Sequence, residues 1–248
     1  MSLAAVVVIY VAADVFEQEN YPLAEDWYPT DIAFIIAPSI VIILGIILNL
    51  KYGLKGYHGK AWLFFTIAIV SWFIGELSYS YDYEYDIDDF STLASDIFYI
   101  LGYPFFFAFL VFYLKPRQKI ITKTMIVFAS LMSLTFVAPS IYISLSGEAE
   151  IDVLTMFFYV VYPVLGGIIF VPSIITVFLF FGGKVSLLWI MILLATILDI
   201  GVDTLYLVTS LDATYGPTHI INIFWIWSYI LYAFGQYLHI RIFTTVSK

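Results

Sequence analysis

Residues 185–210 read VSLLWIMILLATILDIGVDTLYLVTS, a run in which only Asp199 and Asp203 carry a formal charge. A helix that crosses a bilayer needs about 20 mostly apolar residues, and this run, Val185 to Ser210, exceeds that. Six further segments meet the same test: Asp31 to Leu50, Ala61 to Ser80, Thr92 to Leu114, Thr122 to Ser144, Val153 to Phe181 and His219 to Ile242. In chain order they make Val185 to Ser210 the sixth helix of seven. The expected fold is an all-α integral membrane protein, a seven-transmembrane helix bundle. It forms a single membrane domain over residues 31–248, preceded by an extracytoplasmic N-terminal segment over 1–30.

The composition agrees. Of 248 residues, 62% are hydrophobic, 20% aromatic and only 12% charged, with no cysteine. Soluble domains average about 45–50% apolar and about 25% charged residues, so a soluble enzyme, a disordered tail and a nucleic-acid binder are excluded. Without cysteine there is no disulfide, thiolate metal site or cysteine nucleophile. A net charge of −9 opposes polyanions. The expected partner is the lipid bilayer, with no nucleic acid.

The ten basic residues set the orientation. Lys51, Lys55 and Lys60 lie between helices 1 and 2, and Lys115, Arg117, Lys119 and Lys123 follow helix 3. Lys184 precedes helix 6, and Arg241 and Lys248 close the chain. All fall on one side, which the positive-inside rule makes cytoplasmic, so the N-terminus is expected outside and the C-terminus inside, in a multi-pass protein of the cell membrane. The acids fall on the other side or within the helices. Met1 to Ala13 is apolar but too short to span; it reads either as a segment against the outer face or as a processed leader.

Shifting the chain by 126 residues lays "IGELSYS…DIDDFSTLASDIFYILGY" over "IGVDTLY…DATYGPTHIINIFWIWSY". Ile74 meets Ile200, Gly75 meets Gly201, Asp86 meets Asp212, and Tyr103 meets Tyr229. Asp96 falls on Asn222 and Tyr99 on Trp225. The reading is a parallel repeat, with halves at about 31–115 and 153–242 and helix 4 as linker. This three-one-three plan resembles the SWEET-like seven-helix transporters, among the folds built from parallel repeats.

Ionisable residues inside membrane segments are costly and are by default candidates for function. At 1.5 Å rise per residue, Glu76 stands roughly 24 Å above Lys60, and Asp199 and Asp203 roughly 22 and 28 Å above Lys184; Asp96 is at similar depth. No basic residue on any helix matches that depth. Helical spacing adds Trp72 and Tyr79 to the face of Glu76, and Tyr99 and Tyr103 to that of Asp96. It adds Tyr206 to the face of Asp203, and offers Tyr159 and Tyr162 on helix 5. Helix 7 carries the longest stripe, Asn222, Trp225, Tyr229, Tyr232 and Gln236. Turned inward, these faces form an outward-opening pocket of carboxylates and aromatic rings. The expected ligand-binding residues are Glu76, Tyr79, Asp96, Tyr99, Tyr103, Tyr162, Asp199, Asp203, Tyr206, Asn222, Trp225 and Tyr229. Interfacial aromatic belts also place Tyr and Trp at such depths. Pro38 and Gly45 in helix 1, and Pro163, Gly166, Gly167 and Pro172 in helix 5, suggest interrupted helices at matching positions. The alternation from Tyr79 to Asp86 suits an extended strand or a solvated loop.

The last helix has no lysine, so a retinal Schiff base is excluded and no cofactor is expected. His58, His219 and His239 sit on an inner loop and at the two ends of helix 7, a distribution that predicts no His cluster. "SWFIGELSYSYD" followed by "SDIFYILGYPFFFAFLVFYLK", with Asp96, Phe98, Tyr99, Gly102, Tyr103 and Pro104, resembles the multi-helix sensory regions preceding diguanylate cyclase or histidine kinase modules in prokaryotes. "LDIGVDTLYLVTS" through "WIWSYILYAFGQ" is similar to their closing helices. With no output module expected after the last helix, any signal would pass to a separate membrane or cytoplasmic signalling partner, or the protein is not a sensor. The sequence therefore reads as a receptor-like protein binding a small cation or neutral polar ligand. A small-solute or cation transporter and a structural subunit of a membrane complex are the alternatives, and no enzymatic motif is present.

Overall fold

A computed structural model describes residues 29–85, 90–146, 153–212, 214–215 and 219–245. The N-terminal stretch through Tyr28, the acids Asp86, Asp88, Asp89, Glu148, Glu150 and Asp152, and Lys248 lie outside the described residues. The chain forms α1 (Pro29–Tyr52), α2 (Gly56–Tyr85), α3 (Phe90–Leu114), a short 3-10 helix (Lys115–Ile120), α4 (Lys123–Ser146), α5 (Val153–Phe180), α6 (Ser186–Leu211) and α7 (Asn222–Thr245). No strand is present among the described residues.

Six of these helices, α1 to α6, are long and apolar enough to cross a membrane. The seventh falls short in hydropathy for a structural reason: its polar residues turn inward. Asn222, Ser228, Tyr229, Tyr232, Gln236 and His239 are all buried, while Phe234 and Tyr237 are exposed.

Packing makes a ring of six helices, α1–α2–α3–α5–α6–α7, closed where α7 meets α1. The fourth helix stands outside it, against α5 and, less extensively, α6. Consecutive helices run antiparallel: Trp72, midway along α2, meets Tyr99 in the first half of α3, while Phe64, nearer the start of α2, stacks on Phe112 near the end of α3. The same alternation brings Lys51, Lys55, Lys60, Lys115, Arg117, Lys119, Lys123, Lys184 and Arg241 to one end of the bundle.

Lipid provides little hydrophobic drive for helix association, so close van der Waals packing at small residues decides it. Gly102 lets the Trp72 indole lie against the α3 backbone, where an added Cβ would run into the ring. Gly167 does the same for Ser133 and Val137 of α4. A stripe of small residues on α4 seals that contact: Ser133 donates to the Gly167 carbonyl at 2.8 Å, and Ser140 meets Thr204 at 2.6 Å. The first helix ends at Gly53, whose φ of +66° suits glycine and whose N–H bonds to the Asn49 carbonyl at 2.8 Å.

Two expectations need correction. Both α1 and α5 are continuous through Pro38, Pro163 and Pro172, so neither is interrupted; their glycines serve close packing instead. The Tyr79 to Tyr85 alternation is neither strand nor loop but the last turns of α2. Continuing the helix satisfies backbone groups that an extended segment would leave open.

Candidate functional site

The carboxylates meet inside the ring. Asp203 of α6 accepts from Tyr103 of α3 at 3.0 Å and from the Trp225 indole of α7 at 3.2 Å. One turn away, Asp199 accepts from Tyr232 of α7 at 2.8 Å. Glu76 of α2 takes a hydrogen bond from Tyr99 and lies within electrostatic reach of both aspartates. Asp96 of α3 is bonded by Tyr162 of α5, whose ring stands 6.3 Å from that of Tyr103. Tyr229 is buried within reach of Glu76, Asp199 and Asp203.

The structure thus brings Glu76, Asp96, Tyr99, Tyr103, Tyr162, Asp199, Asp203, Trp225 and Tyr229 into one region. Tyr206 joins its rim, 5.9 Å from the Trp225 ring and edge-on to Tyr215 at 4.7 Å. Asn222, buried at the start of α7, accepts from the Tyr215 hydroxyl at 3.1 Å. Tyr79 is half-buried one turn beyond Glu76. Tyr232, which the α7 spacing marks but the list of ligand-binding candidates leaves out, is part of the site through Asp199.

The donors to these four carboxylates are neutral phenol, indole and hydroxyl groups, with Ser228 joining Tyr232 at Asp199. An ionised carboxylate accepts about four hydrogen bonds, and these take one or two each. The acids therefore keep spare acceptor capacity. Glu76, Asp96, Asp199 and Asp203 are half-buried, whereas Tyr103, Tyr229 and Tyr232 beside them are buried. Among the described residues no group of three or more His, Cys, Asp or Glu side chains is placed to hold a metal ion.

Toward the basic end the ring is filled. Trp62, Phe65, Phe106, Phe109 and Trp189 are buried, with Phe65 5.0 Å from Phe109 and 5.6 Å from Tyr232. Beyond that plug the structure brings together two of the three histidines, contrary to the sequence expectation. His58 opens α2 instead of lying on a loop, and its Nε2 stands 3.1 Å from Nε2 of His239 on α7. Their 181-residue separation hides this pairing, although His239 extends the α7 stripe by three positions beyond Gln236. His219 lies instead beside Tyr215.

No family model matches the chain, and no curated protein and no solved structure matches it.

Proposed function

We propose that the chain is a receptor-like protein of the cell membrane that binds a small cation, or a neutral polar molecule, among Glu76, Asp199 and Asp203, and signals through a separate partner. The observation that carries this reading is the Tyr103–Asp203 hydrogen bond. It joins a helix of the first three to a helix of the last three, and it uses the charge a ligand would seek. A cation drawing on Asp203 competes with Tyr103 and so shifts packing between the two groups of helices. The aromatic plug below favours a site closed toward the basic end over an open channel.

In this reading α7 is a seventh crossing, the basic end faces the cytoplasm, and the carboxylates open outward. The order of the ring supports the parallel repeat. Mapping α1 to α5, α2 to α6 and α3 to α7 turns every packed pair of the ring into another packed pair. Tyr103 and Tyr229, matched by the repeat, both point into the carboxylate region.

That same symmetry favours a second reading, a cation carrier in which the two halves rock about the central site. Thermal unfolding of the detergent-solubilised protein across a panel of cations and anions tests the shared premise, with stabilisation by cations expected. Ligand-dependent flux into liposomes then separates the two: none is expected of a receptor, saturable flux of a carrier.

A further inference from the structure

We propose that His58 and His239 form a second site, at the basic end, for one divalent transition-metal ion of the imidazole-preferring class: zinc, copper(II) or nickel. Imidazole nitrogens bind such ions at about 2.0–2.1 Å, so two neighbouring ligands of one ion stand about 2.9–3.4 Å apart. The two Nε2 atoms are 3.1 Å apart.

The rings are already held in place. Tyr52 sits edge-on to His58 at 4.5 Å and 5.6 Å from His239; Tyr113 lies 5.0 Å from His58, and Trp62 5.1 Å from His239. The Trp62 indole approaches His58 Nε2 at 3.3 Å, long for such a bond, so it yields readily to an ion. Gln236, one turn before His239 and fully buried, leaves its amide oxygen and nitrogen without a partner, as does the side-chain oxygen of Asn49. Paired positions three apart on a bundle helix, as in Glu-x-x-His, are a recurrent way to line a metal site, and Gln236-x-x-His239 is a neutral version.

Chemistry selects the ion. The named donors include no carboxylate, so magnesium and calcium, which want charged oxygen ligands, are disfavoured. Imidazole lone pairs suit zinc, copper and nickel. In the metal-free pair one Nε2–H donates to the other Nε2. On coordination that proton moves to Nδ1 of its own ring, both rings bind as neutral donors, and no proton is lost. The ion would tie α2 to α7 at the end opposite the carboxylates.

The test uses the full chain without an affinity tag, titrated with Zn2+, Ni2+ and Cu2+ by calorimetry. One ion per chain is expected. His58→Asn and His239→Asn should each weaken binding at least tenfold, and His219→Asn should leave it unchanged. Electron paramagnetic resonance of Cu2+ on the unmutated protein reads two imidazole nitrogens directly, independent of whether a variant folds. Absence of stoichiometric binding, a spectrum without imidazole nitrogen, or full affinity in both variants would overturn the proposal.

Discussion

The phenol of Tyr103 on α3 and the carboxylate of Asp203 on α6 are 3.0 Å apart, and through them the first three helices are hydrogen-bonded to the last three. Tyr103→Phe removes the donor and leaves Asp203 with Trp225 alone. Side-chain hydrogen bonds between membrane helices contribute about 0.6–1.7 kcal/mol when measured in double-mutant cycles. The variant is expected to be less stable by an amount in that range, read as a lower unfolding temperature. A cycle with Asp203→Ala, which removes the acceptor, isolates the pair; additive effects of the two substitutions would show that the two groups do not interact.

Gly102 permits a close approach between α2 and α3, the most extensively packed helix pair among the described residues. Gly102→Ala drives a methyl group into the Trp72 indole, whose N–H bonds to the Tyr99 carbonyl at 3.0 Å. Overpacking of this kind costs about 1–3 kcal/mol. It should also shift Tyr99, and with it the donor to Glu76, so any cation response should weaken together with stability. Near-native unfolding would mean that the indole has another place to go.

Much of the helical plan is legible because membrane helices announce themselves by apolar length. The faces of α6 and α7 are legible too: Asp199 and Asp203 one turn apart, and Trp225, Tyr229 and Tyr232 at three-four spacing, all turn inward. What the sequence hides is set by contacts between distant segments. The His58–His239 pair exists only because α7 closes the ring beside α1 and α2. The peripheral place of α4 follows from its small-residue face, Ala129, Ser133, Val137, Ser140 and Ser144, which an average over the helix conceals. Period-two spacing from Tyr79 onward misleads because helix continuation, with its own backbone bonds, overrides side-chain alternation.

Sidedness is open to direct labelling, since the chain has no cysteine. Gly56 has a φ of +77°, strained for any other residue, so Lys55→Cys is the better reporter for the basic end and Ser146→Cys for the other. In sealed vesicles or cells, an impermeant maleimide applied from outside should modify Cys at 146 and spare Cys at 55. Equal labelling of both from outside would reverse or dissolve the inferred topology.

Removing charge from the site should separate its structural from its ligand-binding role. With Asp199→Asn the amide oxygen still accepts from Tyr232; with Asp203→Asn it accepts from the Trp225 indole while the amide N–H donates to the Tyr103 hydroxyl oxygen, so the hydrogen-bonded frame survives with one bond reversed. What disappears is two negative charges met only by neutral donors in a poorly solvated place, where uncompensated charge is unfavourable. The double variant should therefore unfold at a higher temperature than the unmutated chain when no ligand is present. It should also lose the stabilisation by cations, because aromatic faces alone supply about 0.5–2 kcal/mol per ring to an ammonium-type ion and no formal countercharge. Thermal unfolding of both proteins across the same cation and anion series checks both halves of the prediction. If the double variant retains the full cation response, or if only anions stabilise the unmutated protein, the acids inside the ring do not bind the ligand.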